Sequence, residues 1–168
     1  NSILIAGGVN GTGVLNNAEV FYPVTRTFGV PPGTGGGTMN SRRAWHTANL
    51  LKDGRVILVG GTDSGGVPGS SAGVLETSEI YDPAAAAAWT TVENLGGNKN
   101  LSPRAGHTTT LLPNGKLMIV GGAKPSMPRD FAEGYDVDFT TFQYQGGTEY
   151  RTGHTTVLLS TGYLVSIG

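Results

Sequence analysis

Three arginines and three histidines recur in step along a chain of 168 residues. They are Arg43 and His46, Arg104 and His107, and Arg151 and His154. Three glutamates follow a similar rhythm: Glu19, Glu79 and Glu133. Three imidazoles could suggest a metal centre, but a metal needs its ligands near 2 Å from one point. One histidine per repeat, at the start of a strand, leaves successive rings a whole unit apart. The expectation is a packing role with a hydrogen bond to backbone, and no metal. For the arginines and glutamates, the matched numbers predict one structural ion pair per unit, supported by further hydrogen bonds that offset desolvation. The alternative is solvated charge on the rim.

Other chemistries are closed by composition. The chain has no cysteine, which removes disulfides, thiolate metal sites and thiol nucleophiles. Net charge is −1 with 14% charged residues and no Lys/Arg cluster, so nucleic acid and acidic membrane surfaces find no field to bind. No apolar run approaches a membrane span. The glycine run Gly33 to Gly37, "GTGGG", opens no helix and is not a dinucleotide fingerprint. No Ser-His-Asp order or catalytic carboxylate pair stands out, and no cofactor is expected. The opening "SILIAGG" reads as strand and carries no information on export.

The elements that position these residues are short strands. "RAWHTANLLKDGRVILVGG" (Arg43 to Gly61), "RAGHTTTLLPNGKLMIVGG" (Arg104 to Gly122) and "RTGHTTVLLSTGYLVSIG" (Arg151 to Gly168) are one sentence written three times. Asp53-Gly54, Asn114-Gly115 and Thr161-Gly162 supply the positive φ of tight hairpin turns. The second strand of each hairpin is apolar throughout, which predicts burial on both faces. The glycine pairs Gly60-Gly61 and Gly121-Gly122 mark points where no Cβ fits. Ala84 to Ala88 is too short for a helix.

A second hairpin follows in "AEVFYPVTRTF", "SEIYDPAAAAAW" and "AEGYDVDFTTF". Each has a glutamate, then an aromatic (Phe21, Tyr81, Tyr135), a turn, and a second aromatic (Phe28, Trp89, Phe142). The unit is four antiparallel strands, and four-stranded units at about 40–50 residues are the signature of propeller blades. Together these motifs resemble kelch repeats of the galactose-oxidase-like propeller family. Tyr22 and Val137 depart from the Asp-Pro pair, and Phe28 and Phe142 from the tryptophan.

The resemblance implies an all-β chain of kelch-type blades. The first blade supplies strands two to four over 1–30, the second spans 43–93, the third 104–145, and strands one and two of a fourth fill 151–168. That makes about three blade-equivalents, where a closed ring has about four to eight. The rest is expected from the same longer chain or from another copy.

In such units the long loops emerge at one end: Val9 to Asn17, Val30 to Ser41, Thr62 to Thr77, Asn94 to Pro103 and Ala123 to Phe131. Loops on a rigid scaffold are where binding resides. Asp63, Lys124, Arg129 and Asp130 are the charged candidates there. Asn10 and Asn100 begin glycosylation triplets at the same end. The expected function is a non-catalytic binding or scaffold module for a protein or glycan, extracellular or at the cell surface. The resemblance also implies copper radical oxidases, which use a cysteine-crosslinked tyrosine and two histidines. A purely structural surface or assembly protein is the third reading.

Overall fold

A computed structural model describes residues 2–64, 73–92, 103–123, 131–136, 141–147 and 151–168. These residues form an all-β structure of several small antiparallel sheets, with no helix among them. In particular, no helix is long and apolar enough to cross a membrane. Ala84 to Ala88 lies in a turn region and ends at an isolated bridge between Thr34 and Ala87.

The first sheet has the order β1 (Ile3–Ala6), β4 (Ala18–Tyr22), β5 (Thr27–Gly29). Between β1 and β4 stands a separate ribbon of β2 (Val9–Asn10) and β3 (Gly13–Val14). The sequence placed a plain loop there. The second sheet runs β6 (Thr47–Leu50), β7 (Val56–Val59), β8 (Ser78–Tyr81), β9 (Trp89–Val92). The third repeats it as β10 (Thr108–Leu111), β11 (Leu117–Val120), β12 (Phe131–Asp136), β13 (Thr141–Gly147). A final hairpin pairs β14 (Thr155–Leu158) with β15 (Leu164–Ile167). The registers agree between repeats: Thr47 faces Val59, Thr108 faces Val120 and Thr155 faces Ile167.

The second strands are the core. Ile57 and Val59 pack with Leu117, Ile119 and Tyr135 of the next sheet. Leu58, between them in sequence, packs the other way, with Ala18, Met39, Tyr81 and Trp89. Successive side chains of a strand point to opposite faces. A strand sandwiched between sheets must therefore be apolar at every position, as "VILV" and "LMIV" are.

The segment 30–41 corrects an expectation. It is not a loop standing out at one end but a strap laid along the second sheet. Pro31 and Met39 are buried, the Tyr81 hydroxyl donates to the Pro32 carbonyl at 3.0 Å, and the Trp89 indole N–H donates to the Gly36 carbonyl at 2.9 Å. The reason lies in "GTGGG". A Cβ on Gly36 would sit 2.1 Å from the Pro31 carbonyl oxygen, so only glycine lets the strap fold so tightly.

Adjacent sheets are joined by one repeated backbone bond. The second glycine of each pair donates its N–H to the carbonyl of the next arginine: Gly8 to Arg43, Gly61 to Arg104 and Gly122 to Arg151, each at 2.9 Å. The glycine before it must pass beneath that carbonyl. At Gly121, where φ is +67°, a Cβ would lie 2.5 Å from the Arg151 oxygen. The change Gly121→Ala is expected to destabilise the protein by about 2 kcal/mol or more, through strain and lost contact. Gly54→Ala, also at positive φ but in open space, should cost only about 1 kcal/mol. Urea unfolding of both variants measures the difference.

Candidate functional site

The arginines and glutamates meet inside the sheets. Arg43 precedes β6, and Glu79 lies on β8 of the same sheet. Both are fully buried, with Nη2 to Oε1 at 2.7 Å. Arg43 Nη1 donates to the carbonyls of Gly60 at 2.8 Å and Thr77 at 3.3 Å. The Glu79 carboxylate also accepts the backbone N–H groups of Asn40 at 2.7 Å and Ser41 at 2.9 Å. In the third sheet Arg104 donates to buried Glu133 and, at 2.8 Å, to the carbonyl of Gly121. Glu19, at the same position on β4, is exposed. Arg151 donates to the Ser166 carbonyl at 3.2 Å. The rim-charge alternative thus fails for the two middle pairs, which are structural joints. Their carboxylates are committed to guanidinium groups and, at Glu79, to backbone N–H.

The histidines take a partner the sequence reading did not name. His107 Nε2 shares a hydrogen bond with the Thr47 hydroxyl of the preceding unit at 3.0 Å, and His154 Nε2 does the same with Thr108 at 3.0 Å. Each ring therefore bridges two inner strands. Nδ1 of all three rings is buried and makes no hydrogen bond of good geometry, the rings' nearest backbone partners being the carbonyls of Ala6, Val59 and Val120. Burial, and then the neighbouring arginine, lowers the pKa of His46 to about 4 and of His107 to about 3. Burial and Arg151 lower His154 as well. The carbonyls of Ala6, Val59 and Val120 pull in the opposite direction and are outweighed.

No three His, Cys, Asp or Glu side chains come together for a metal among the described residues. The donor set does not fit the copper centre that the resemblance implies. Cysteine is absent from the chain, and two of the three histidines spend Nε2 on threonine.

The other repeat residues are framework too. Tyr81, Trp89 and Tyr135 are buried, and Tyr81 packs on Trp89 with ring centroids 5.1 Å apart. Gly60 N–H donates to the Thr77 carbonyl at 3.2 Å.

Two of the candidate residues of the loop-bearing end lie among the described residues, and both are exposed. Asp63 is exposed, and its N–H is pinned to the Gly73 carbonyl at 2.9 Å. Lys124, Arg129, Asp130 and Asn100 lie outside the described residues. Asn10 is exposed in the β2–β3 turn, where its Oδ1 accepts the Thr12 N–H at 2.8 Å and the Thr12 hydroxyl at 2.6 Å.

Sequence reasoning passed over Trp45. It sits at φ +56° where the other repeats place Gly106 at +67° and Gly153 at +68°. The signal was present in the alignment of "RAWH" with "RAGH" and "RTGH": a bulky residue standing where its two counterparts are glycine.

Two predictions follow from this chemistry. Glu79→Gln leaves the Arg43 charge buried and uncompensated, with an expected cost of about 3–5 kcal/mol. The turn pair Asp53–Arg55 is partly exposed at 2.7 Å, and Asp53→Asn should cost at most about 1 kcal/mol. Chemical denaturation compares them. The histidines set the acid response. Their folded pKa values lie below the unfolded 6.5, so the unfolded chain binds protons first. Their contribution is complete above about pH 6.5 and is lost as pH falls, by about 1.4 kcal/mol per unit for each fully neutral ring. A urea midpoint that falls between pH 7 and 5, with a shallower slope in His107→Gln, is the expected record.

A scan against protein-family models finds no match, and a search of curated proteins finds none either.

Proposed function

We propose that this chain is a segment of a kelch-type β-propeller that acts as a non-catalytic binding module outside the cytoplasm. Its loop-bearing end would present a protein or glycan site, and the propeller would be completed by further blades. The strand order supports the architecture: two four-stranded sheets in sequence order, flanked by a three-stranded sheet and a hairpin. Their first strands β6, β10 and β14 lie side by side.

The observation that carries the function is how the charged framework is spent. Arg43, Glu79, Arg104, Glu133, His107 and His154 all hold sheets together, and none is left facing solvent as an acid, base or nucleophile. Among the described residues, groups that face solvent at the loop end include those of the β2–β3 ribbon, Arg42, Trp45 and Asp63. A rigid base that carries exposed polar and aromatic groups on its loops is the arrangement of a binding scaffold.

The test is to probe the chain on printed glycans and purified extracellular proteins, beside a variant whose 10–13 turn is cut to Asn-Gly. The expected outcome is saturable binding that the variant loses while its far-ultraviolet circular dichroism is unchanged. Binding that survives the trimming, or copper-dependent oxidation of primary alcohols by the chain, would overturn the reading.

A further inference from the structure

We infer that Trp45 and Asp63 form a saccharide subsite, with the Trp45 indole as the platform for one sugar ring and Asp63 as the acceptor for its hydroxyls. This inference rests on the reading of the loop end as a binding face and names the ligand class for it.

The first observation is conformational. The three repeats share one backbone at this position, because the Gly106 N–H donates to the Trp45 carbonyl and the Gly153 N–H to the Gly106 carbonyl, each at 3.1 Å. Glycine meets the required positive φ without strain. A tryptophan there is an outlier that raises the energy of the fold. It belongs to neither core cluster, and about half of its surface, 48%, stays exposed. The chain's other tryptophan, Trp89, is buried and hydrogen-bonded. A strained, solvent-facing indole where glycine would fold better points to contact with something outside the chain.

The second observation is the company it keeps. Ala44 and Thr62 form an antiparallel bridge, with N–H to carbonyl distances of 2.9 and 2.8 Å. The bridge sets Trp45 and Asp63 on a diagonal, a spacing of about 7–8 Å in such pairs. On the other side, exposed Arg42 is anchored by Nη1 to the Val14 carbonyl at 3.0 Å. The exposed indole thus stands diagonal to Asp63 across the bridge and three residues along the chain from a guanidinium anchored on the ribbon.

That pattern selects the ligand. A cation would meet Arg42 and an anion would meet Asp63. A protein partner needs about 800 Å² of complementary surface on each side, and in the adjoining ribbon only Val9 is both apolar and exposed. A neutral ring with C–H groups on its face and hydroxyls at its edge matches all three groups. The hydroxyls would gain charge-assisted bonds at Asp63.

The experiment titrates the chain with cello-, xylo-, galacto- and chito-oligosaccharides and follows the emission of the one exposed tryptophan. A saturable blue shift for at least one series is expected. Trp45→Gly should keep or raise the thermal midpoint while weakening affinity at least tenfold, followed by calorimetry. Asp63→Asn should weaken it severalfold at unchanged stability. A lower thermal midpoint in Trp45→Gly would make the indole a structural element and overturn the inference, and so would undiminished sugar binding by that variant. Failure of every series would overturn it as well. Sugar or protein binding that survives Trp45→Gly but is lost when the 10–13 turn is trimmed would leave the loop-end reading standing and remove only this subsite.

Discussion

The arginine that opens each hairpin has two ends, and both are committed. The backbone carbonyl of Arg43 accepts the Gly8 N–H of the sheet before it, and its guanidinium reaches Gly60 and Glu79 of its own sheet. One residue thus fixes how a sheet closes on itself and where it sits against its neighbour. The desolvation of a buried guanidinium and carboxylate is large, and an ion pair alone does not offset it. Here each charge is also held by backbone dipoles. The two N–H groups on Glu79 come from Asn40 and Ser41, at the end of the strap that leaves the preceding sheet. The charge therefore draws two sheets onto one carboxylate. An apolar replacement could fill the same volume, but it could not choose the same neighbour or register.

This constraint explains why the glycine pair is so exacting. A carbonyl that must be reached by an N–H from the next sheet has to come close, and the closest element is the glycine just before the donor. The 2.5 Å left for a Cβ at Gly121 is the steric shadow of the same bond. The "GG" and the "R" of the repeat are therefore one device, split across two units.

How much of this was legible in the sequence follows from range. Features that act within one hairpin were readable: the turn glycines, the apolar second strand, and the pairing of β6 with β7 and β10 with β11. The Arg–Glu joints were also within reach, because repetition turns a distant contact into a matched count. What stayed hidden depends on neighbours that no local pattern encodes. The strap at 30–41 looks like a loop because it is rich in proline and glycine, yet Pro31 and Met39 are buried on the next sheet. The β2–β3 ribbon is four residues of strand around a turn, too short for periodicity to register. Trp45 carries no sign of its left-handed backbone except by comparison with Gly106 and Gly153.

The seam between the sheets is divided between two kinds of force. The second strands bury Ile57, Val59, Leu117 and Ile119 against one another, and this contact supplies most of the association because it scales with apolar area. It is tolerant, since aliphatic side chains can slide by a fraction of an ångström with little loss. The inner strands are threonine-rich and meet through directional bonds: His107 to Thr47, His154 to Thr108, and Thr108 to Thr156 at 2.7 Å. A hydrogen bond loses strength steeply with misalignment, so these contacts contribute less free energy but fix the angle at which one sheet follows the next. Histidine suits the role because its Nε2 can either donate to or accept from a threonine hydroxyl, and while neutral it brings no uncompensated charge into the seam. The burial that lowers its pKa is therefore part of the joint. It keeps the ring neutral in the folded chain, and the same burial is why the joint loses stability as pH falls below about 6.5.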